Sequence, residues 1–416
     1  MTNEVLQKTA SDEQNVSSSN GLEAKAPLLR FRKFTHPWRQ EKLSDFTSRI
    51  MRKNSNNETE LPLTISSKDG LVDQVTFFNK KVSSKDMSGY YLLKNGEFAY
   101  NKSYSNGYDF GSIKRLERYE MGALSTLYIC FSLKKHCSDY IKHYFDSLKW
   151  YRQIYIISAE GARNHGLLNV PTDDFFATIH FLSPDIEEQK KIADFLSLID
   201  QRIEKQRQLV ENLKKYKRGL LSAIFDNKLI GENWKKYKLS SILKERSTYS
   251  EKDGSYEHVT LSRDGIIPKT ERYDRDFLVS SENKKYKITK MGDICYNPAN
   301  MKFGVICLNT YGNAIFSPIY ITFEIKSDFD KPFVGLYMTR NDFINRSLKF
   351  QQGTVYERMA VSPEDLLSMD IELPNLEAQK RISNIFTILD KKIVRENNIF
   401  NELQKMKRAL LQQMFI

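Results

Sequence analysis

Residues 184–225, beginning "PDIEEQKKIADFLSLID", align without a gap to residues 374–415, beginning "PNLEAQKRISNIFTILD". Both copies keep Glu187/Glu377, Gln189/Gln379, Asp200/Asp390, Leu213/Leu403, Arg218/Arg408 and Phe225/Phe415. A repeat of this length decides architecture first, because each copy must fold as the same unit in similar surroundings. Fainter echoes precede each copy. "WRQEKLS" at Trp38 matches "WKKYKLS" at Trp234, and "SSKDGLV" around Asp69 matches "SRDGII" around Asp264. "GEFAYN" at Gly96 matches "GDICYN" at Gly292, and "STLYICF" at Ser125 matches "SPIYITF" at Ser317. The chain is a tandem duplication in the order globular unit, long helix, globular unit, long helix.

Each helix has a start signal. Asp185 or Asn375 follows a proline and can cap the first turn, and Glu188 stands at capping-box spacing from Asp185. Apolar residues then recur in steps of three and four. They fall at Ile192, Leu196, Ile199, Ile203, Val210, Leu213, Leu220 and Ile224, and again at Ile382, Phe386, Leu389, Ile393, Phe400, Leu403, Leu410 and Met414. A stripe this narrow is a coiled-coil seam. Gln206 and Glu396 interrupt it at equivalent positions, as register-setting polar residues do. Two amphipathic helices packed separately on their own domains are the alternative, and that arrangement leaves the matched interruption unexplained.

Chain order turns this pattern into geometry. A helix of about 40 residues is about 60 Å long. Only "DNKLIGEN", residues 226–233, separates the first helix from the second globular unit. For the stripes to meet, the second helix must run back antiparallel to the first. The expected object is two similar heads on a coiled-coil spacer with a pseudo-two-fold axis. Similar basic modules at fixed separation suit the local dyad of duplex DNA. The net charge of +12 and pI near 9.2 agree with a polyanionic partner.

The layout resembles the specificity subunit of type I restriction-modification enzymes. The residues that carry the resemblance are the "W…LS" start of each head, the "P-x-x-E-x-Q-K-[KR]-I" helix starts and the "LxKxKRxLLxxxF" helix ends, from about Leu28 to Ile416. The resemblance implies an α/β (α+β) fold with two mixed α/β target recognition domains, spaced by two long antiparallel helices that form a coiled coil. On that reading residues 1–27 are a disordered tail and 28–183 the first target recognition domain. Residues 184–226 are the first spacer helix, 227–372 the second domain and 373–416 the second helix. It also implies a subunit without a catalytic site, held with two methyltransferase subunits and, through them, two motor-nuclease restriction subunits. S-adenosylmethionine, ATP and Mg²⁺ are then expected on those partners, with no cofactor or metal in this chain.

The residues agree with missing catalytic chemistry. None of the 18 glycines is followed by Lys and no two stand two apart, so neither a Walker A lysine nor a GxG nucleotide loop is present. "YNPANM" at Tyr296 is only superficially like the Asn-Pro-Pro-aromatic motif of adenine methyltransferases, and its repeat partner is "YNKSYS" at Tyr100. In "PDIEEQK" the carboxylates crowd one helix start, and the second copy has Asn375 and Ala378 instead, so capping rather than metal binding is expected. Cys130, His136, Cys137 and His143 fit no standard zinc spacing. The first 26 residues lack an apolar run and no later segment is apolar enough to span a bilayer, so the expected location is cytoplasmic.

Comparing the heads separates scaffold from readout. Readout belongs where the heads differ but remain polar loops, because base edges are read by Arg, Lys, Asn, Gln and Ser side chains. In the first head this selects Asn101, Lys102, Asn106, Arg163, Asn164 and His165. In the second it selects Asn297, Asn300, Lys302, Gln352, Thr354, Tyr356 and Arg358. Lys68 and Arg263 recur beside the Asp-Gly turns and are expected to contact phosphate. Since the heads have diverged, the double-stranded DNA target should be bipartite and asymmetric. Lengthening both helices by one heptad, about 10.5 Å, should lengthen the target's unread spacer by about 3 bp. A coiled-coil adaptor that binds protein or RNA is the competing class, and salt-sensitive, sequence-selective duplex binding separates the two.

Overall fold

The computed structural model describes residues 6–8, 25–80, 82–158, 168–226, 234–250, 254–263, 265–269, 285–351 and 360–416. The chain divides into two compact units, residues 1–209 with 396–416, and residues 210–395.

In the first unit, strand Arg39–Lys42 pairs with Ile179–Leu182, so the beginning and end of the head close on each other. One mixed sheet has the order Gly70–Asp73, Pro62–Ser66, Met121–Leu124, Tyr91–Lys94, with the middle pair parallel. A second, antiparallel sheet has the order Thr47–Arg49, Ile129–Leu133, Phe98–Asn101, Ser112–Arg115. Helices α1 (Ser138–Asp146), α2 (Tyr151–Ile157) and α3 (Thr172–Ala177) follow, and then the long helix α4 (Ile186–Phe225). The second unit repeats this order with one added edge strand, Tyr249–Ser250, beside Tyr286–Thr289. Lys235–Lys238 pairs with Asp370–Leu373. Glu257–Ser262 lies between Gly265–Pro268 and a parallel Ala314–Phe316, and Ile321–Ile325 lies between Leu243–Glu245 and Ile294–Tyr296. Helices α5 (Lys331–Met338), α6 (Asn341–Ser347) and α7 (Pro363–Ser368) then lead to the long helix α8 (Leu376–Met414). Two mixed α/β heads and two long helices, arranged as an internal repeat, are the fold.

Each helix start is tied down as its sequence requires. Asp185 Oδ1 accepts the Glu187 N–H at 2.8 Å, and Asn375 Oδ1 accepts the Ala378 N–H at 2.9 Å. The repeated glutamine is a clamp in both units. Gln189 Oε1 accepts the Cys137 N–H at the start of α1 (2.8 Å), and Gln379 Oε1 accepts the Asp330 N–H at the start of α5 (3.0 Å). Glu188 does not close the capping box its spacing suggests. Its carboxylate, fully buried, takes two bonds from Arg30 (2.6 and 2.9 Å), one from the Trp38 indole (3.1 Å) and one from Ser183 (2.5 Å). A buried guanidinium outcompetes a backbone N–H for a carboxylate, because leaving that charge unpaired costs far more. Leu6–Lys8 pairs antiparallel with Leu29–Phe31, satisfying backbone groups of that short strand, and the Lys25 carbonyl accepts the Trp38 N–H at 2.8 Å.

The antiparallel return of α8 is visible inside the first unit. Phe415 packs against Trp38, Tyr140 and Tyr144 with centroids 5.4–6.1 Å away, and Gln412 donates to the Ser147 carbonyl at 2.6 Å. Its repeat mate Phe225 packs against Trp234, Phe333 and Tyr337 at 5.4–6.0 Å in the second unit. Ion pairs obey the same symmetry. Lys407 meets Asp200 at 2.6 Å in the first unit, and the mates Lys217 and Asp390 meet at 2.5 Å in the second. Gln206 Nε2 donates to both the carbonyl and the carboxylate of Glu396 (2.9 and 2.8 Å). Those two residues occupy the same place in the two copies, so their contact marks the local two-fold axis of the helix pair. Of the seam residues, Ile192, Leu196, Ile199, Val210, Ile382, Phe386 and Leu389 are buried. Ile203, Leu213, Leu220, Ile393, Phe400, Leu403 and Leu410 are half-buried, and Ile224 and Met414 are buried at the helix ends.

Two buried histidines give the first head an acid sensitivity. Burial pushes His143 down to about 4 and His180, which bonds Tyr144 and Thr178, down to about 3. Both stay neutral in the folded head while the unfolded chain takes up protons near pH 6.5, so their contribution is complete above that pH. It is lost as pH falls from about 6.5 to 4, by about 1.4 kcal/mol per pH unit per group. Hydrogen exchange across this range should show the first head opening before the second, and His180→Gln should flatten the pH slope.

Candidate nucleic-acid interface

Three segments meet at one edge of the first head. Lys68 is exposed on the turn between Pro62–Ser66 and Gly70–Asp73, a turn held by Ser66 and Asp69 at 2.8 Å. Ser67 Oγ lies 2.8 Å from Ser105 Oγ and 3.1 Å from Ser112 Oγ, which brings Lys68 to the loop carrying Lys102 and Asn106. Lys102 is half-buried and Asn106 exposed, and the Lys102 carbonyl accepts the Leu168 N–H at 3.1 Å. From the other side, Tyr151 on α2 donates to the Gly111 carbonyl at 2.5 Å and stacks edge-on to Phe110. Gly111 has φ +78°, and a Cβ there would stand 2.0 Å from the Asn101 carbonyl oxygen, so only glycine closes this loop. Arg163, Asn164 and His165 lie outside the described residues; both flanks of their loop, α2 and Leu168, are anchored to the 101–111 segment.

The second head opens as a groove of about 1320 Å³. Four residues expected from sequence line it: Arg263, Asn297, Asn300 and Lys302. Arg263 and Lys302 are exposed, Asn300 half-buried and Asn297 buried. Sequence comparison did not select Lys217, Lys269, Asn341 and Asn345, which also line it, or Asp390, the acid paired with Lys217. The signal available for the two asparagines was their spacing of four on a short amphipathic helix whose other face is Phe343 and Ile344. Gln352, Thr354, Tyr356 and Arg358 lie outside the described residues.

Asn101 and Asn297 each commit the side-chain oxygen to a turn. Asn101 Oδ1 accepts the Ser103 N–H at 3.0 Å, and Asn297 Oδ1 accepts the Ala299 N–H at 3.1 Å as the cap of the 3-10 helix Pro298–Phe303. The same Asx turn in both heads marks a shared structural position. The Cys/His cluster is dispersed. Cys130 is buried in a strand, with its thiol pushed up to about 12, His136 faces Glu41 and Gln189, and His143 faces Ser197. Among the described residues no group of three or more His, Cys, Asp and Glu could hold a metal ion, and no helix is long and apolar enough to cross a membrane.

The arrangement offers two polar, cation-bearing edges mounted on sheets, suited to a polyanion. Residues 231–405, which include all of the groove lining except Lys217, match the family model described as "Type I restriction modification DNA specificity domain". The fold is similar to that of the type-I restriction-modification system S subunit from M. genitalium, with a TM-score of 0.53 at 14% identity over 94% of this chain and 99% of that one. It is equally similar, at TM-score 0.53 and 16% identity, to a chain in a structure describing complex assembly and conformational transition of the type I R-M system, over 91% of this chain and 97% of that one.

Proposed function

We propose, from the premise that residues 231–405 are a type I restriction modification DNA specificity domain, that the whole chain is the DNA-recognition subunit of a type I restriction-modification complex. The observation that carries this reading is the groove lined by Arg263, Lys269 and Lys302 inside the matched segment, on a head whose strand order recurs in residues 39–182. Each head reads one part of a bipartite, asymmetric duplex target, and the unread spacer between the parts follows the length of the helices. The chain performs no chemistry of its own. Methyltransferase subunits, using S-adenosylmethionine, modify adenines at the target, and restriction subunits with ATP and Mg²⁺ cut elsewhere.

Two methyltransferase subunits fit the repeat, because exposed apolar residues of the helices recur in matched pairs. Leu198 and Ile388 are 63% and 59% exposed, and Tyr216 and Met406 are 62% and 45% exposed. Apolar groups held in water at equivalent places suit two equivalent partners. Leu198→Glu should therefore release one methyltransferase copy and Ile388→Glu the other, read as a stepwise loss of complex mass in solution.

The deciding experiment maps adenine methylation genome-wide in cells expressing this chain with its matching methyltransferase subunit, against the methyltransferase alone. A new two-part motif dependent on this chain is the expected result. A stable complex that yields no motif overturns the reading in favour of an adaptor for protein or RNA.

A further inference from the structure

Helix α6 occupies a singular place in the second head. Phe343, Ile344 and Ser347 face the core and are buried, which fixes the helix to the head. Asn341 and Asn345 are exposed and line the groove with Arg263 and Lys302. Four residues apart, they stand on one face of the helix, one turn above the other. Among the described residues neither carboxamide has a hydrogen-bond partner in the protein, although Asn101, Asn297 and Asn309 all spend theirs on turns. A carboxamide presents a donor and an acceptor side by side, the complement of the N6/N7 edge of adenine in the major groove.

The first head places a different chemistry at the equivalent helix. There α2 carries Tyr151 and Tyr155 where α6 carries Asn341 and Asn345. Tyr151 is tied to the Gly111 carbonyl, and the exposed Tyr155 touches Phe110 edge-on, so that face presents aromatic rings beside the 101–111 loop rather than open carboxamides. Equivalent positions with diverged polar chemistry on a shared rigid helix are where two heads can acquire different targets. Resting on the function proposed above, we infer that Asn341 and Asn345 are specificity-determining residues of the second head, reading adenine edges in one half of the target while the surrounding lysines and arginine hold phosphates.

The test uses the full chain in complex with its methyltransferase subunit. The methylated motif is mapped for the unaltered chain, for Asn341→Ala, for Asn345→Ala and for the double variant. Adenine preference should relax about ten- to hundredfold at one or two positions of one half-site, with the other half-site and the spacer unchanged. Asn341→Gln and Asn345→Gln, which keep the carboxamide on a longer arm, should shift rather than abolish the preference. Thermal unfolding within the range of the unaltered protein shows that the variants fold. A motif from the unaltered chain that the double variant reproduces overturns this inference alone. If the unaltered chain directs no motif, the function and the inference fall together.

Discussion

Glu188→Ala should destabilise the first head by about 3–5 kcal/mol, the cost of leaving a buried charge without its partner. Arg30 and Glu188 are 3% and 0% exposed, and the same carboxylate also satisfies Trp38 Nε1 and Ser183 Oγ. Removing it takes the carboxylate partner from three polar groups at once, and leaves Trp38 Nε1 without one. Urea unfolding and hydrogen exchange of residues 25–58 measure the effect, and a loss below about 1 kcal/mol would mean that water replaces the carboxylate. The double change Arg30→Met with Glu188→Leu should recover most of the loss, since apolar replacement of a buried pair is close to neutral. The second head lacks the carboxylate at this position. Ala378 stands in place of Glu188 and is fully buried, and Trp234 Nε1, the mate of Trp38 Nε1, is buried with no partner among the described residues. The opposite exchange, Ala378→Glu, should therefore be harmful as well.

The second large effect lies in the groove. Arg263→Ala, Lys269→Ala and Lys302→Ala together should lower duplex affinity about a hundredfold at about 0.15 M salt. Each phosphate contact accounts for about fivefold there through counterion release. The slope of log affinity against log salt should shrink by about three. Sequence preference should survive, because phosphate contacts position a protein without reading bases. Titration of labelled duplex at several salt concentrations checks this. An unchanged slope would place the phosphate backbone on another surface.

How far the residues alone could be read differs from element to element. The helix starts were legible because proline, Asp185 and Asn375 act within one turn, and capping needs nothing from the rest of the fold. The shared position of Gln206 and Glu396 was legible as an interruption, since period and register are linear properties of a chain. Glu188 was misread because its partner Arg30 lies 158 positions away. A capping box and a buried ion pair present the same local spacing. Asn101 and Asn297, selected for readout, each give their Oδ1 to a turn, whereas Asn341 and Asn345, which sequence comparison did not select, line the groove. No local pattern separates these cases, because an asparagine's task depends on whether a backbone N–H or open solvent faces its carboxamide.

The sequence by itself determined the duplication, the two long helices, their antiparallel return and the two-headed order of domains. All of these follow from periodicity and chain connectivity, which are written along one dimension. Tertiary structure alone decided which polar groups meet. It joined Ser67 to Ser105 and Ser112, closed the 101–111 loop on Tyr151, buried Glu188 against Arg30 and brought Asn345 and Arg263 into the lining of one groove. Those meetings depend on directions and distances of a few ångströms between residues far apart in the chain. Hydrogen bonds and ion pairs are short-ranged and directional, and so they are settled only when the sheets have packed.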